Sequence, residues 1–316
     1  MKTGQLSRRR FIGNSAMAVA GVFILPKVSF ARSFFGANDK PNSVVGGVLI
    51  GVTTYSYRDM KNVTAEDMLQ YCLQDNISGV ELRGDATELS AGAPKKAAGQ
   101  SAAEFSKAMA DWRASVPMDK FKEIGKMFKD AGVTIYAYKP VVFGTANTDE
   151  EINYAFNAAK ALGANHCNCE MPEHNDGQTQ RIGDIAKKHK MRVGYHAHTQ
   201  ATPSLWDTAM AQSEYNCINL DIGHYIAGNN TNTIEFIEKN HGRITSMHLK
   251  DRKVNNGPNT AWGEGDTPIK DVLLLMKKNK YKFAATIELE YKVPADSTDV
   301  KEVAKCREYA AAILSA

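Results

Sequence analysis

The feature that most constrains this chain is a repeated pairing. A short apolar run ends in ionisable residues, a helical stretch follows, and the unit recurs eight times. The runs lie at 44–57, 79–84, 133–139, 165–171, 191–198, 217–222, 243–250 and 283–291. Alternation of this kind marks βα units and a parallel sheet. Eight such units predict a closed (β/α)8 barrel over residues 46–316, for which about 250 residues is the usual size. An open doubly wound sheet would call for a glycine-rich phosphate turn after the first strand, and Gly51-Val-Thr-Thr-Tyr-Ser56 is not one.

Helix starts are marked by side-chain caps. Thr64 with Asp67, and Thr148 with Glu151, place an acid three residues after a threonine. Thr267-Pro268 predicts a helix with proline at its first position, and 298–314 predicts the last helix. Residues 85–118 make one unit oversized; the stretch is rich in Ala, Gly, Ser and Lys and reads as a long loop, either a lid or a surface insertion.

The N-terminus reads differently. Arg8, Arg9 and Arg10 precede Phe11-Ile12 and a short apolar stretch from Ala16 to Leu25. That order predicts a twin-arginine export signal over 1–31, a linker over 32–45, and a periplasmic or exported mature protein without stable membrane insertion. Charge is needed to judge partners. The net +4 is misleading, because the first 31 residues carry five of the 39 basic side chains and none of the 35 acidic ones. The remainder is close to neutral, which argues against nucleic acid as a partner. The five cysteines include no Cys-x-x-Cys pair and read as small core residues.

In a barrel the chemistry sits where strands end at their C-terminal side. The runs end in Glu81 and Arg83, in Lys139, in Glu170, in His196-Ala-His198, in Asp221-Ile-Gly-His224, in His248-Leu-Lys250-Asp251 and in Glu288-Leu-Glu290. A single strand-end histidine or glutamate is often a satisfied structural residue. So many ionisable groups at one end are costly to bury unless something offsets their charge. A shared divalent cation does so, and carboxylates with imidazole suit manganese, cobalt, zinc or magnesium. Residues two apart on a strand share a face, so Glu288 and Glu290 face alike, with Glu288 deeper.

Asp221-Ile-Gly-His224-Tyr-Ile-Ala-Gly228, Ser246-Met-His248-Leu-Lys-Asp251, Trp262-Gly-Glu-Gly-Asp266 and Ile287-Glu288 together resemble the xylose-isomerase-like TIM barrels. The resemblance is nearest to their sugar phosphate isomerase/epimerase branch, with ketose 3-epimerases and inosose dehydratases, over about residues 46–315. It implies one divalent metal, with Asp221, His248 and Glu288 as ligands and a fourth from the middle strands. Either Glu170 or His196 can be that fourth ligand; Glu170 is preferred, because it keeps the family's three carboxylates and one imidazole. The resemblance also implies Glu170 and Glu288 as proton-transfer groups, His224 and Lys139 as catalytic helpers, and Arg83, His196, His198 and Lys250 at the substrate.

The function expected is a metal-dependent isomerase or epimerase on a sugar or keto-sugar, acting through an enediolate. A lyase or dehydratase on a keto-sugar or keto-glycoside, and a non-catalytic sugar-binding barrel, are the alternatives. The expected partner is a small carbohydrate, with homo-oligomerisation open.

Overall fold

The computed structural model describes residues 40–173 and 176–316. The expected export signal, residues 1–31, lies outside them.

Eight strands run parallel and close on themselves. They are β2 (Val48–Thr53), β3 (Gly79–Arg83), β4 (Thr134–Lys139), β5 (His166–Glu170), β6 (Arg192–His196), β7 (Asn216–Asp221), β8 (Ile244–Leu249) and β11 (Ala284–Ile287). Neighbours follow sequence order from β2 to β8, and β11 then pairs with both β8 and β2. The barrel thus has no open edge, which removes the hazard of unpaired strand N–H and C=O groups. A short strand, β1 (Val44–Val45), joins β2 in an antiparallel hairpin across Gly46 and Gly47, both at positive φ. The run expected as one strand over 44–57 is therefore a hairpin, a barrel strand and a 3₁₀ turn at Thr54–Tyr57.

Helices fill the connections. α1 (Ala65–Gln74) follows β2, and α4 (Asp119–Asp130) precedes β4. α5 (Asp149–Leu162) and α6 (Asp176–His189) flank β5; α7 (Asp207–Gln212) leads into β7. α8 (Ile222–Ala227) and α9 (Thr233–Asn240) link β7 to β8, α10 (Ile269–Asn279) leads into β11, and α11 (Asp299–Ser315) follows it. The capping boxes at Thr64/Asp67 and Thr148/Glu151 form as expected, and Gly163 ends α5 at φ 82°. Pro268 sits one place earlier than expected, before the first helical residue of α10. All five cysteines are free and buried, as small core residues should be.

The segment expected as a long loop is mostly helical. It forms α2 (Gly84–Ser90) and α3 (Ala102–Ser115), and α3 starts on a Ser101/Glu104 capping box. Arg113 fixes it to the barrel's helical layer. Its guanidinium lies 2.8 Å from Glu88 Oε1 and 3.1 Å from Glu151 Oε1. All three side chains are largely buried, so the pairing is poorly screened by solvent.

Two loops beyond the strand ends are shaped by glycine. A Cβ at Gly223 would collide with the stem and carbonyl of Lys250, which lets the turn after β7 pack on the end of β8. Asp251 opens the small ladder of β9 (Asp251–Arg252) with β10 (Asn259–Thr260). Its carboxylate accepts hydrogen bonds from the backbone N–H of Gly263, Gly265 and Thr267, at 2.8, 2.9 and 3.2 Å. A Cβ at Gly265 would occupy the space of that carboxylate. The Lys-Asp pair and the Trp-Gly-Glu-Gly-Asp segment thus belong to one structural unit.

Candidate active site

The parallel strands bring their C-terminal ends to one mouth, where the ionisable residues converge. His196 ends β6, Asp221 ends β7, His248 lies one residue before the end of β8, and Glu288 follows β11. One ligand atom from each lies within 4.8 Å of the others, and all four residues are buried.

The imidazoles are aimed by their other nitrogens. His248 Nε2 is 3.1 Å from Glu81 Oε2, and its Nδ1 is 3.1 Å from Glu288 Oε2. Glu81 is fully buried in β3. Burial alone would lower the His248 pKa, but Glu81 and Glu288 outweigh it and raise it to about 10. Glu81 would in turn be raised by burial, yet His248 holds it well below the ordinary range. A buried carboxylate against a ligating histidine is the arrangement that fixes a metal ligand's ring and raises its basicity.

His196 is set by a neutral partner. Its Nδ1 lies 2.9 Å from Asn219 Oδ1, while Asn219 Nδ2 donates to Ser246 Oγ at 2.8 Å. That orientation makes Nδ1 the donor and leaves the Nε2 lone pair free. Burial, helped by Lys139, pushes the His196 pKa well below its usual value, so the ring is neutral and able to ligate. Asn168 donates to Glu81 at 2.5 Å and to the same Ser246 hydroxyl at 2.9 Å. One buried network therefore holds both histidines.

Lys250 is the cation already among these acids. Its Nζ is 3.0 Å from Asp221 Oδ2, 2.7 Å from Glu288 Oε2 and 2.5 Å from Glu290 Oε2. Burial would lower its pKa, but Asp221 and Glu288 hold it above the usual lysine value. Asp221 Oδ2 is buried and makes no hydrogen bond of good geometry despite that ion pair. Its other oxygen accepts the His224 N–H at 2.7 Å. Burial, with Glu288 close by, raises the Asp221 pKa to about 7. The donor set fits a divalent cation: two imidazoles, two carboxylates and an underused carboxylate oxygen.

Glu170 stands aside from this cluster. It pairs with Lys139 at 2.6 Å and lies 3.4 Å from His198 Nε2. Burial would raise its pKa, but the Lys139 ammonium beside it more than reverses that, so it is ionised. Glu170, expected as the fourth ligand, lies outside the four-residue cluster, in which His196 takes that place; Lys139 and His198 hold the carboxylate, while Asn219 orients His196. His224 sits between Lys250 Nζ at 3.0 Å and Arg252 at 2.7 Å. Burial and Lys250 lower its pKa to about 2, so it is neutral. His198 is exposed, with its ring 4.7 Å from that of His224. Glu290 lies at the rim and Glu288 deeper, as expected.

Arg83 is not at the cluster. Its guanidinium pairs with Asp85 at 2.8 Å and packs over the Tyr55 ring at 5.2 Å. Glu81 is the residue whose part sequence reasoning left unassigned. Its signal was a charged side chain inside a five-residue apolar strand.

Most of the chain resembles solved structures of one shape. A xylose isomerase domain protein from Planctomyces limnophilus shares 16% identity over 84% of this chain and 97% of its own, with a TM-score of 0.58. A sugar phosphate isomerase/epimerase from Parabacteroides distasonis shares 17% over 89% and 100%, at 0.58. The 3-keto-D-glucoside 4-epimerase of E. coli shares 12% over 84% and 98%, at 0.54. At these identities the likeness is one of fold. No curated protein matches the sequence significantly. The model of the xylose isomerase-like TIM barrels matches residues 95–309, and the chain belongs to that family.

Proposed function

We propose that this chain is a metal-dependent enzyme that moves a proton on the carbon beside the carbonyl of a sugar or keto-sugar, as an isomerase or epimerase. The observation that carries this reading is the ionised Glu170 carboxylate, paired with Lys139 beside the four-ligand cluster. His196, Asp221, His248 and Glu288 would hold one manganese, cobalt, zinc or magnesium ion. When bound, such an ion supplies Lewis-acid polarisation of a carbonyl and its neighbouring hydroxyl.

The other steps belong to the chain. Glu170 is ionised and free of the cluster, so it can accept the proton α to the carbonyl. The Lys139 ammonium orients that carboxylate and offers a charge to a developing oxyanion. Neutral His224, with both ring nitrogens against Lys250 and Arg252, holds those two cations in place at the mouth. Glu288, held by His248 and Lys250, serves as a ligand better than as a mobile base. Among the described residues no helix is long and apolar enough to cross a membrane. Export through Arg8 and Arg9 belongs to the same proposal, and with it an unphosphorylated substrate outside the cytoplasm. The isomerase and epimerase names of two structural neighbours agree with this reading.

The test is deuterium uptake from solvent into unphosphorylated keto-sugars by metal-reconstituted protein. Exchange at the α-carbon is expected, and it should vanish in Glu170→Gln. Loss of a β-substituent would make the enzyme a lyase using the same base. Binding without exchange would leave a sugar-binding barrel and sink the enzymatic reading.

A further inference from the structure

A second cavity lies on the flank of the mouth, between the turn after β2 and the inserted helices. Its volume is about 440 Å³, and its walls include Val63, Leu89, Phe105, Met109 and Val141. Arg83 and Val141 also line the neighbouring cavity that contains Lys139 and Glu170. The two spaces are therefore neighbours, with Arg83 and Val141 between them.

The chemistry of the walls selects the occupant. A sugar ring placed against Val63, Leu89, Phe105, Met109 and Val141 would lose water from its hydroxyls without gaining partners on that side, which is costly. An apolar ring gains from burial, roughly 25 cal/mol for each Å² removed from water. Both acids at the cavity are engaged within the protein, Asp85 by Arg83 and Glu88 by Arg113. Arg83 is neutralised by Asp85 at 2.8 Å. Arg58 donates to the Leu289 carbonyl at 2.6 Å and packs over Tyr55 at 4.7 Å. Both guanidiniums brace the Tyr55 ring as part of the wall. The volume falls within the roughly 300–1,000 Å³ of small-molecule sites.

We propose that this cavity receives the apolar aglycone of a glycoside, an aryl or similar ring, whose sugar lies at the barrel mouth. The substrate class is then an aryl glycoside or its keto form. The inference rests on the sugar reading of the mouth. The insertion that builds α2 and α3 is, on this view, the specificity element of the chain.

Isothermal titration of the full chain with 4-nitrophenyl β-D-glucoside, methyl β-D-glucoside and 4-nitrophenol tests it. The aryl glucoside should bind at least about tenfold more tightly than the methyl one. Met109→Trp fills the cavity; it should erase that preference, weaken 4-nitrophenol to a similar extent and leave the methyl glucoside unchanged. Phe105→Ala removes one wall without adding bulk and should narrow the preference, whether or not Met109→Trp folds. Equal affinity for the two glucosides, or a preference that survives both variants, overturns the inference, as does absence of binding by all three probes. Variant-sensitive binding of 4-nitrophenol with no binding of either glucoside overturns the sugar reading, and the aglycone assignment with it, while leaving an aryl-binding cavity.

Discussion

Glu81 Oε2 lies 3.1 Å from His248 Nε2, across the interior of the barrel from β3 to β8. The two residues stand 167 positions apart in the chain. That contact turns the other ring nitrogen of His248 toward Glu288. Glu81→Gln keeps the shape but removes the charge. We expect it to weaken divalent-cation binding by about 10–100-fold, the usual cost of losing a ligand's outer partner. Competition with a chromophoric chelator measures this directly; unchanged affinity would mean that His248 needs no such partner.

The fourth ligand is decided by a pair of variants. Glu170 and His196 are register partners on β5 and β6. His196→Ala should lose the cation by more than the roughly 10–100-fold cost of an outer partner, and Glu170→Gln should keep it within about threefold of the original while abolishing proton exchange. Elemental analysis of the purified variants reads the first effect. The reverse pattern would restore Glu170 as a ligand.

The metal-free fold should carry a pH signature. The His248 pKa is raised to about 10 by its two carboxylate neighbours after burial has opposed them. An unfolded histidine titrates near roughly 6.5. The group's stabilisation is therefore complete below about 6.5 and is lost as pH rises toward about 10. Chelator-treated protein should thus exceed His248→Gln in melting temperature at pH 6, and the gap should shrink by pH 10. A gap that grows with pH would contradict the ion pairing described.

Arg113 makes a prediction about the insertion. Removing it leaves Glu88 buried without its cation, and breaking such a pair costs about 3–5 kcal/mol. Arg113→Met should show that loss in chemical denaturation. Hydrogen exchange should rise first in α3, ahead of the barrel strands. Uniform exchange across the chain would argue that the insertion is held by packing alone.

Export is tested outside the described residues. Replacing Arg8 and Arg9 by lysine should retain the protein in the cytoplasm, as read by cell fractionation. Unchanged periplasmic delivery would remove the twin-arginine reading.

The barrel was legible because its signals are local. Strand runs, capping threonines and strand-end polar groups all lie within a few residues of one another. The cluster members Asp221, His248 and Glu288 were legible for the same reason. Glu81 was visible as an anomaly but not as a partner, because nothing near it in sequence points to His248. The choice between Glu170 and His196 was equally closed to sequence. Both end adjacent strands in register, and only the placement of Lys139 and Asn219 separates them. The helical nature of the insertion was readable in principle: Ser101 and Glu104 form a capping box of the same kind as the two that were recognised.

The ring closes through β11, which enters between β2 and β8. Because synthesis runs from the N-terminus, His196, Asp221 and His248 all leave the ribosome before Glu288. A nascent chain lacking β11 would have β2 and β8 as bare edges and an incomplete ligand set. Closing the wall and completing the site are one event. The strand that closes the wall thus also delivers the last member of the four-residue cluster.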